Sequence, residues 1–239
     1  MNITKGYISR WQAESTPKNV SLLELDISDD ERLGIKKELY DKYAKEYEKR
    51  TDKAPYLYQR EIARFSRLVK SKKIVDLGSG PGIYAQELKK YGLDPLCCDF
   101  SHEMLKLCVL RGLEIRLMNY EKEMDTFEDE SLGGLWTNCS LTTTPKDKVQ
   151  EILKEIHRKL MPGAPVFFGF IESENENEGW INSDWKYRLP RFRFRSNRYS
   201  IGKMLRGSGF EIDAFTEISR EKCGKNDYVN FVCTKNGSS

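Results

Sequence analysis

The sequence predicts an α/β fold built on an open, mostly parallel sheet with helices on both faces. Three observations carry that expectation. Short apolar runs such as KKIVDLG and APVFFGFI alternate with segments of helical period between residues 72 and 171. The runs are continuously apolar, as strands covered on both faces must be. The first of them ends in a glycine cluster, VDLGSGPG, at the carboxyl end of a strand, where sheets of this kind bind their ligands.

The elements follow in order. Residues 1 to 34 are polar and irregular, with an acidic cluster from Asp26 to Glu31. IKKELYDKYAKEYEKR then places Ile35, Leu39, Tyr43 and Tyr47 at helical spacing, and LYQREIARFSRLVK does the same with Leu57, Ile62, Phe65 and Leu68. KKIVDLG is the first strand, PGIYAQELKKYG a helix and DPLCCDF a strand. SHEMLKLCVLRG is a helix with Ser101 as its N-cap, followed by the strand LEIRLMN. After an acidic loop, GGLWTNCSL is a strand. PKDKVQEILKEIHRKL is an amphipathic helix with Val149, Ile152, Leu153, Ile156 and Leu160 on one stripe. It stops at Pro162-Gly163, and APVFFGFI follows as a strand. Such βαβαβ alternation gives a sheet with helices on both faces.

Bulk properties exclude several classes. Lys and Arg number 40 against 37 Asp and Glu, so no whole-protein field drives the chain onto nucleic acid. The six cysteines form no C-x-x-C pair, so neither a zinc site nor a disulfide framework has its spacing, and no metal is expected. Cys97 and Cys98 are expected on opposite faces of one strand. The N-terminus lacks the pattern of a signal peptide, and the longest apolar run, near Val166 to Ile171, is too short for a bilayer. A cytoplasmic chain with no membrane partner is expected, as a monomer or homodimer.

The glycine loop narrows the ligand. A phosphate-binding P-loop needs G-x-x-x-x-G-K-[ST], and Ile83-Tyr84 follow Gly82. The dinucleotide fingerprint G-x-G-x-x-G needs its third glycine at position 83, where this chain has isoleucine. The pattern present is D-x-G-x-G-x-G: Asp76, Gly78, Gly80, Gly82.

That pattern resembles the cofactor loop of the class I methyltransferases, which use S-adenosylmethionine (SAM) and release S-adenosylhomocysteine (SAH). CCDFSHEML adds to the resemblance by ending the second strand in Asp99, 23 residues after Asp76. EDESLGGLWTNCSLTTTPKDKVQEILKEIHRKLMPGA is similar to the family's fourth strand, helix and loop, with Thr142-Thr143-Thr144 in place of a common Leu-His-Val. The resemblance implies a seven-stranded Rossmann-like sheet, mostly parallel, with DYVNFVCTK as an antiparallel last strand at the sheet edge. It implies an N-terminal extension and lid helix over residues 1–51 and a SAM-binding methyltransferase domain over 52–239, with 172–206 as a substrate-side insertion.

It further implies site residues. Asp76, Gly78, Ser79, Gly80 and Gly82 would carry the methionine and ribose portions; Asp99 would accept the ribose hydroxyls and Phe100 would lie against adenine. Met118, Asn119 and Tyr120 fall at the adenine edge, with Asn119 where many relatives have Asp, and Asn138 also borders the cofactor. Tyr47, Asn138 and Thr142, with Ser140, are the polar groups expected beside the reacting atoms, and each is equally readable as a strand-end or packing residue. Tyr40, Tyr43 and Tyr47 belong either to a lid over the pocket or to the buried face of an amphipathic helix. His102 and His157 are expected in surface and packing roles, not as a general base.

The acceptor divides three hypotheses. A small molecule is the leading one. An RNA acceptor is the alternative, because eight basic residues and no acidic ones run from Lys186 to Arg206, and Arg191, Arg193 and Arg195 share one face of a period-two strand. The plain reading of that strand is a half-buried ribbon with a solvated arginine face, its field neutralised by the acidic block ESENENEGW just upstream. A non-catalytic SAM-binding regulator is the third hypothesis.

Overall fold

A computed structural model describes residues 27–182, 190–223 and 226–236. The first 26 residues and two members of the basic run, Lys186 and Arg188, lie outside the described residues.

Helix α1 spans Asp29–Thr51. It begins six residues before the expected start, because the acidic cluster is its first turn. Ser28 and Glu31 form a reciprocal capping box, and Asp29, Asp30 and Glu31 sit where the helix dipole favours negative charge. Tyr43 leaves helical geometry (φ −112°, ψ 16°) and kinks the helix mid-length. A short 3-10 stretch (Ala54–Tyr58) leads into α2 (Gln59–Leu68).

From there the chain alternates: β1 (Lys73–Leu77), α3 (Ile83–Lys90), β2 (Asp94–Asp99), α4 (His102–Leu110), β3 (Glu114–Leu117), β4 (Leu135–Asn138), α5 (Lys146–Lys159) and β5 (Pro165–Glu172). Beyond β5 come β6 (Asn177–Asn182), β7 (Pro190–Arg195), α6 (Arg198–Gly207), β8 (Phe210–Ile218), α7 (Arg220–Cys223) and β9 (Asp227–Lys235). The main sheet has seven strands in the order β3-β2-β1-β4-β5-β9-β8; β1 to β5 are parallel, and β9 runs antiparallel to both neighbours. The order reverses between β1 and β4, which opens a crevice at their carboxyl ends.

Strand alternation divides the core into two layers. On one face Val75, Leu77, Leu135, Phe168 and Phe170 pack with Val149, Ile152 and Ile156 of α5. On the other, Ile74, Trp136 and Phe167 pack with Ile62 and Phe65 of α2. Trp136 and Phe167 stack at 3.7 Å and 8° across β4 and β5. Cys98 joins the first layer and Cys97 a separate cluster with Cys108, so the two adjacent cysteines do face opposite ways.

One expectation needs correction. The last strand, β9, is not at the sheet edge but between β5 and β8, and Val229, Phe231, Val232 and Cys233 bury it on both faces. The edge belongs to β8, which exposes Glu211, Asp213 and Glu217 at every second or fourth position and so resists further pairing. Residues 177–182, which take in the end of the acidic block, are β6, which pairs antiparallel with β7 in a two-stranded ribbon outside the main sheet. Asn, Glu and Gly disfavour strands, and cross-strand pairing with β7 overrides that preference.

Candidate active site

The glycine loop follows β1 into the crevice. Gly78 and Ser79 donate their N–H groups to the Cys98 carbonyl at 2.8 and 3.1 Å, which ties the loop to β2. Asp99, at the tip of β2, holds the loop from the other side. Its Oδ2 accepts the Gly80 N–H at 2.9 Å and its Oδ1 accepts the Ser101 N–H at 2.9 Å. Burial pushes this carboxyl above the ordinary range, against the Ser101 and Gly80 N–H groups and the Lys36 cation.

Gly80 and Gly82 have different jobs. Both have positive φ, 54° and 78°. A side chain on Gly82 would strike Leu113 Cδ1 at 2.6 Å, so this glycine closes the N-terminus of α3 against the protein interior. On Gly80 the nearest atom to an added Cβ would be Tyr47 Cε1 at 3.7 Å. The loop therefore turns the bare Gly80 backbone toward Tyr47 of α1, with room for about a methyl group between them.

A narrow cleft lies between these elements. Its floor is Gly78, Gly80, Asp99 and Asn138, its sides are Phe100, Tyr120, Ser140 and Thr143, and its roof is Lys36, Tyr40 and Tyr47 of α1. The roof residues share one helix face by spacing. Helix α1 is held down on α4: Ala44 packs with Met104 and Leu107, and Ser101 Oγ donates to Asp41 at 2.7 Å.

Charge locks the roof to the wall. Glu121, its side chain only 1% exposed, takes Arg32 and Lys36 of α1, the lysine at 3.0 Å. Lys36 also donates to the Tyr120 hydroxyl at 3.1 Å, and its ammonium lies 5.2 and 4.9 Å from the Phe100 and Tyr120 ring centres. Burial opposes the lysine's charge, yet Tyr120 and Glu121 hold its pKa above the usual value. Burial likewise opposes the charge of Glu121, and Lys36 and Arg32 keep its pKa low. With Lys36 between the rings, the cleft retains about 50 Å³ of free space. Ligand pockets usually offer roughly 300–1,000 Å³, so these roof side chains must move aside for a ligand the size of an adenosyl group.

The tip of β4 completes the site. Cys139 has φ 59°, a left-handed conformation that a non-glycine residue adopts only under constraint. The strain turns the chain so that Ser140 Oγ donates to the Leu77 carbonyl at 2.9 Å and Tyr120 donates to the Ser140 carbonyl at 2.8 Å. Asn138 lies over Gly169, where a side chain would collide with its amide.

Of the residues expected from sequence, Gly78, Gly80, Asp99, Phe100, Tyr120, Asn138 and Tyr47 meet at this cleft. Others lie behind it. Asp76 is buried with Oδ2 unpartnered, and burial followed by the nearby Asp99 pushes its carboxyl up to about 8. Ser79 is buried near Cys108, and Gly82 caps α3. Met118 is buried in the core, while Asn119 Oδ1 accepts the Glu121 N–H at 3.0 Å and so shapes the turn after β3. Thr142 is one layer out: its hydroxyl donates to the Cys139 carbonyl at 2.6 Å and accepts from Arg193 Nη1 at 3.0 Å. His157 packs edge-on against Phe210 and burial lowers its pKa; His102 is exposed. Lys36, Cys139 and Glu121 escaped the sequence reading. Lys36 is one helical turn before Tyr40, and that spacing was the available signal.

Comparison with known proteins agrees with this geometry. Residues 75–168 match the family model described as a methyltransferase domain. An uncharacterized protein of Methanocaldococcus jannaschii is 28% identical over 138 residues, covering 57% of this chain and 63% of its own. A malonyl-[acyl-carrier protein] O-methyltransferase of Erwinia billingiae is 24% identical over 126 residues, covering 53% and 49%. The chain thus spans about half to under two thirds of the length of these relatives. A solved structure of the Burkholderia thailandensis 1,6-didemethyltoxoflavin-N1-methyltransferase, with its substrate and SAH bound, superposes with TM-score 0.68 at 14% identity over 91% of this chain and 95% of that one. That likeness is one of fold. Residues 75–168 thus match a methyltransferase domain, and the sheet has the fold of the solved methyltransferase.

Proposed function

We propose, with that domain as the premise, that the protein is an enzyme that moves a methyl group from SAM to a small-molecule acceptor by in-line displacement, and that α1 is its lid over a catalytic domain beginning near residue 52. The observation that carries the proposal is the cleft itself, in which the Gly80 backbone and the Asp99 carboxylate face a helical roof across a space closed on its sides by Phe100 and Tyr120.

The residues present fit the cofactor. Each Asp99 oxygen spends one lone pair on a backbone N–H, which leaves two acceptor sites for the two hydroxyls of a ribose. Phe100 and Tyr120 offer ring faces to adenine in the slot that Lys36 now holds, and Gly78 and Gly80 present bare backbone to the methionine portion. When bound, the cofactor supplies a methyl on a sulfonium, whose C–S electron pair stays with sulfur as the acceptor's lone pair takes the methyl.

The chain's own contribution is positioning and exclusion of water. Asn138 and Tyr47, from floor and roof, are the polar side chains we place beside the acceptor. Burial first, then Tyr40 and Cys139, push the Tyr47 phenol far above its ordinary value, so Tyr47 acts as a hydrogen-bond donor and not as a base. Thr142 we place as a support for the β4 tip. The enclosed roof favours a small acceptor over an RNA strand, which would need an open groove.

Calorimetry with SAM and SAH tests the proposal. Binding of both, weakened in Asp99→Ala, is expected; failure to bind either would defeat it.

A further inference from the structure

The arginine strand does not behave as a solvated face. Arg191, Arg193 and Arg195 are each half-buried, and Phe194 on the other face is in the core. Strand β7 lies across α1 and the 3-10 turn Leu141–Thr143, the two elements that roof and wall the cleft. Arg193 reaches Thr142 at 3.0 Å, and Thr142 is bonded directly to the carbonyl of Cys139 in the cleft wall. Its charge is felt at Tyr47: burial, Tyr40 and Cys139 raise that phenol, and the Arg193 cation pulls the other way.

The acidic block does not neutralise this cation. Register sets Arg193 opposite Gly179, which has no side chain to cover it, and sets Glu178 opposite Phe194 on the far face of the ribbon. The acids have other partners. Glu178 accepts the Lys146 N–H, Glu176 pairs with Lys146 and Ser196, and Glu172 pairs with Arg198 at 2.7 Å. Arg193 pairs with no carboxylate among the described residues. A half-buried guanidinium whose recorded bond is one neutral hydroxyl keeps most of its donor fork for a ligand.

The surroundings are aromatic. Tyr58, Tyr84 and Tyr228 share one cluster, Tyr47 lines the cleft with Cys139, and burial raises the phenols of Tyr47, Tyr58 and Tyr84. Tyr58 and Tyr84 meet edge-on at 5.3 Å.

We infer that Arg193 is the specificity-determining residue of the acceptor subsite, and that the acceptor is a small molecule bearing an oxyanion group, a carboxylate or a phosphoryl, that docks on this guanidinium beside the tyrosines. This rests on the proposed function and narrows its substrate class. Bidentate binding of such a group by Arg193 orients the acceptor with its nucleophile toward Asn138 and Tyr47, while the anion stays at the rim.

The test uses the full chain loaded with SAH. Benzoate, phenylphosphonate and the neutral benzamide are titrated into it by calorimetry or ligand-observed NMR. At least one anion is expected to bind about tenfold or more tightly than benzamide, the size of effect for a charge-assisted hydrogen bond. Arg193→Met should abolish that preference while SAH affinity stays unchanged, and Arg193→Lys should keep part of it. Equal binding of benzamide, no binding of either anion, or an anion preference that survives Arg193→Met would overturn the inference. A single-stranded RNA oligomer that outcompetes both fragments and is lost in Arg193→Met would overturn it too, by assigning the arginine to a polyanion. The wild-type comparison needs no variant to fold. SAH binding on the same sample separates the two ideas: its loss sinks the methyltransferase reading, and its presence with no anion preference sinks only this one.

Discussion

The floor and the roof of the cleft are built on opposite principles. The floor is backbone: the Gly78 and Gly80 peptides and two strand ends, fixed by one carboxylate, Asp99, that accepts N–H groups from the glycine loop and from Ser101 at the start of α4. The roof is side chains on α1, held to the wall by Arg32 and Lys36 on Glu121, and the β6–β7 ribbon packs outside it with Arg193 on Thr142. The floor can bind a constant ligand with little movement. Its partner must yield to admit that ligand and so suits a variable one. The fixed and the adjustable halves of the site are therefore separable by mutation.

The largest expected effect breaks the tie between them. Glu121→Leu leaves Lys36 of α1 charged with no ion-pair partner and Arg32 with Asp29 alone, and removal of one partner from a buried pair costs about 3–5 kcal/mol. Urea denaturation should show that loss; a change under about 1 kcal/mol would mean that solvent reaches the network and that α1 is not locked. The next effect falls on the floor. Asp99→Ala should weaken SAH binding by about 1–3 kcal/mol, the range for hydrogen bonds to a charged group, with a smaller change in fold stability. An unaltered affinity would mean the ribose lies elsewhere.

A third expectation concerns pH. Asp76 keeps its proton in the folded chain up to about 8, whereas an unfolded aspartate releases it near pH ~4. The folded state binds the extra proton across that window, so its contribution is full below about pH 4 and is lost as pH rises toward 8. The stability of the ligand-free protein should decline across this range, and Asp76→Asn should flatten the decline; parallel profiles would show that the carboxyl is solvated. The smallest effect sharpens the picture of the roof. Lys36→Met removes the ammonium from the slot between Phe100 and Tyr120 and leaves Glu121 with Arg32 as its remaining cation. SAH association should speed up by about two- to fivefold; slower association would mean that the lysine assists adenine binding.

The same contrast decides what a reader of the sequence could see. The floor was legible because its chemistry needs fixed spacing: D-x-G-x-G-x-G after an apolar run, then Asp99 at the next strand end. The two-faced sheet was legible as well, since β1 and β5 read as continuous apolar runs and bury residues on both faces. The roof was visible as a helical stripe but not as a site, because Lys36 works through Glu121, 85 positions away. Arg193 was visible as one of a run of cations. Its inward role depends on register with Gly179 in a strand, β6, that has no strand-like composition. Cys139 carried no signal at all, since its left-handed φ is imposed by the neighbours that hold Ser140 and Asn138.

Calorimetric titration of the full chain with SAH addresses the central claim most directly. Saturable binding at one site per chain is expected, weakened by about fivefold or more in Asp99→Ala. Absence of saturable binding, or equal affinity in the two proteins, would contradict it.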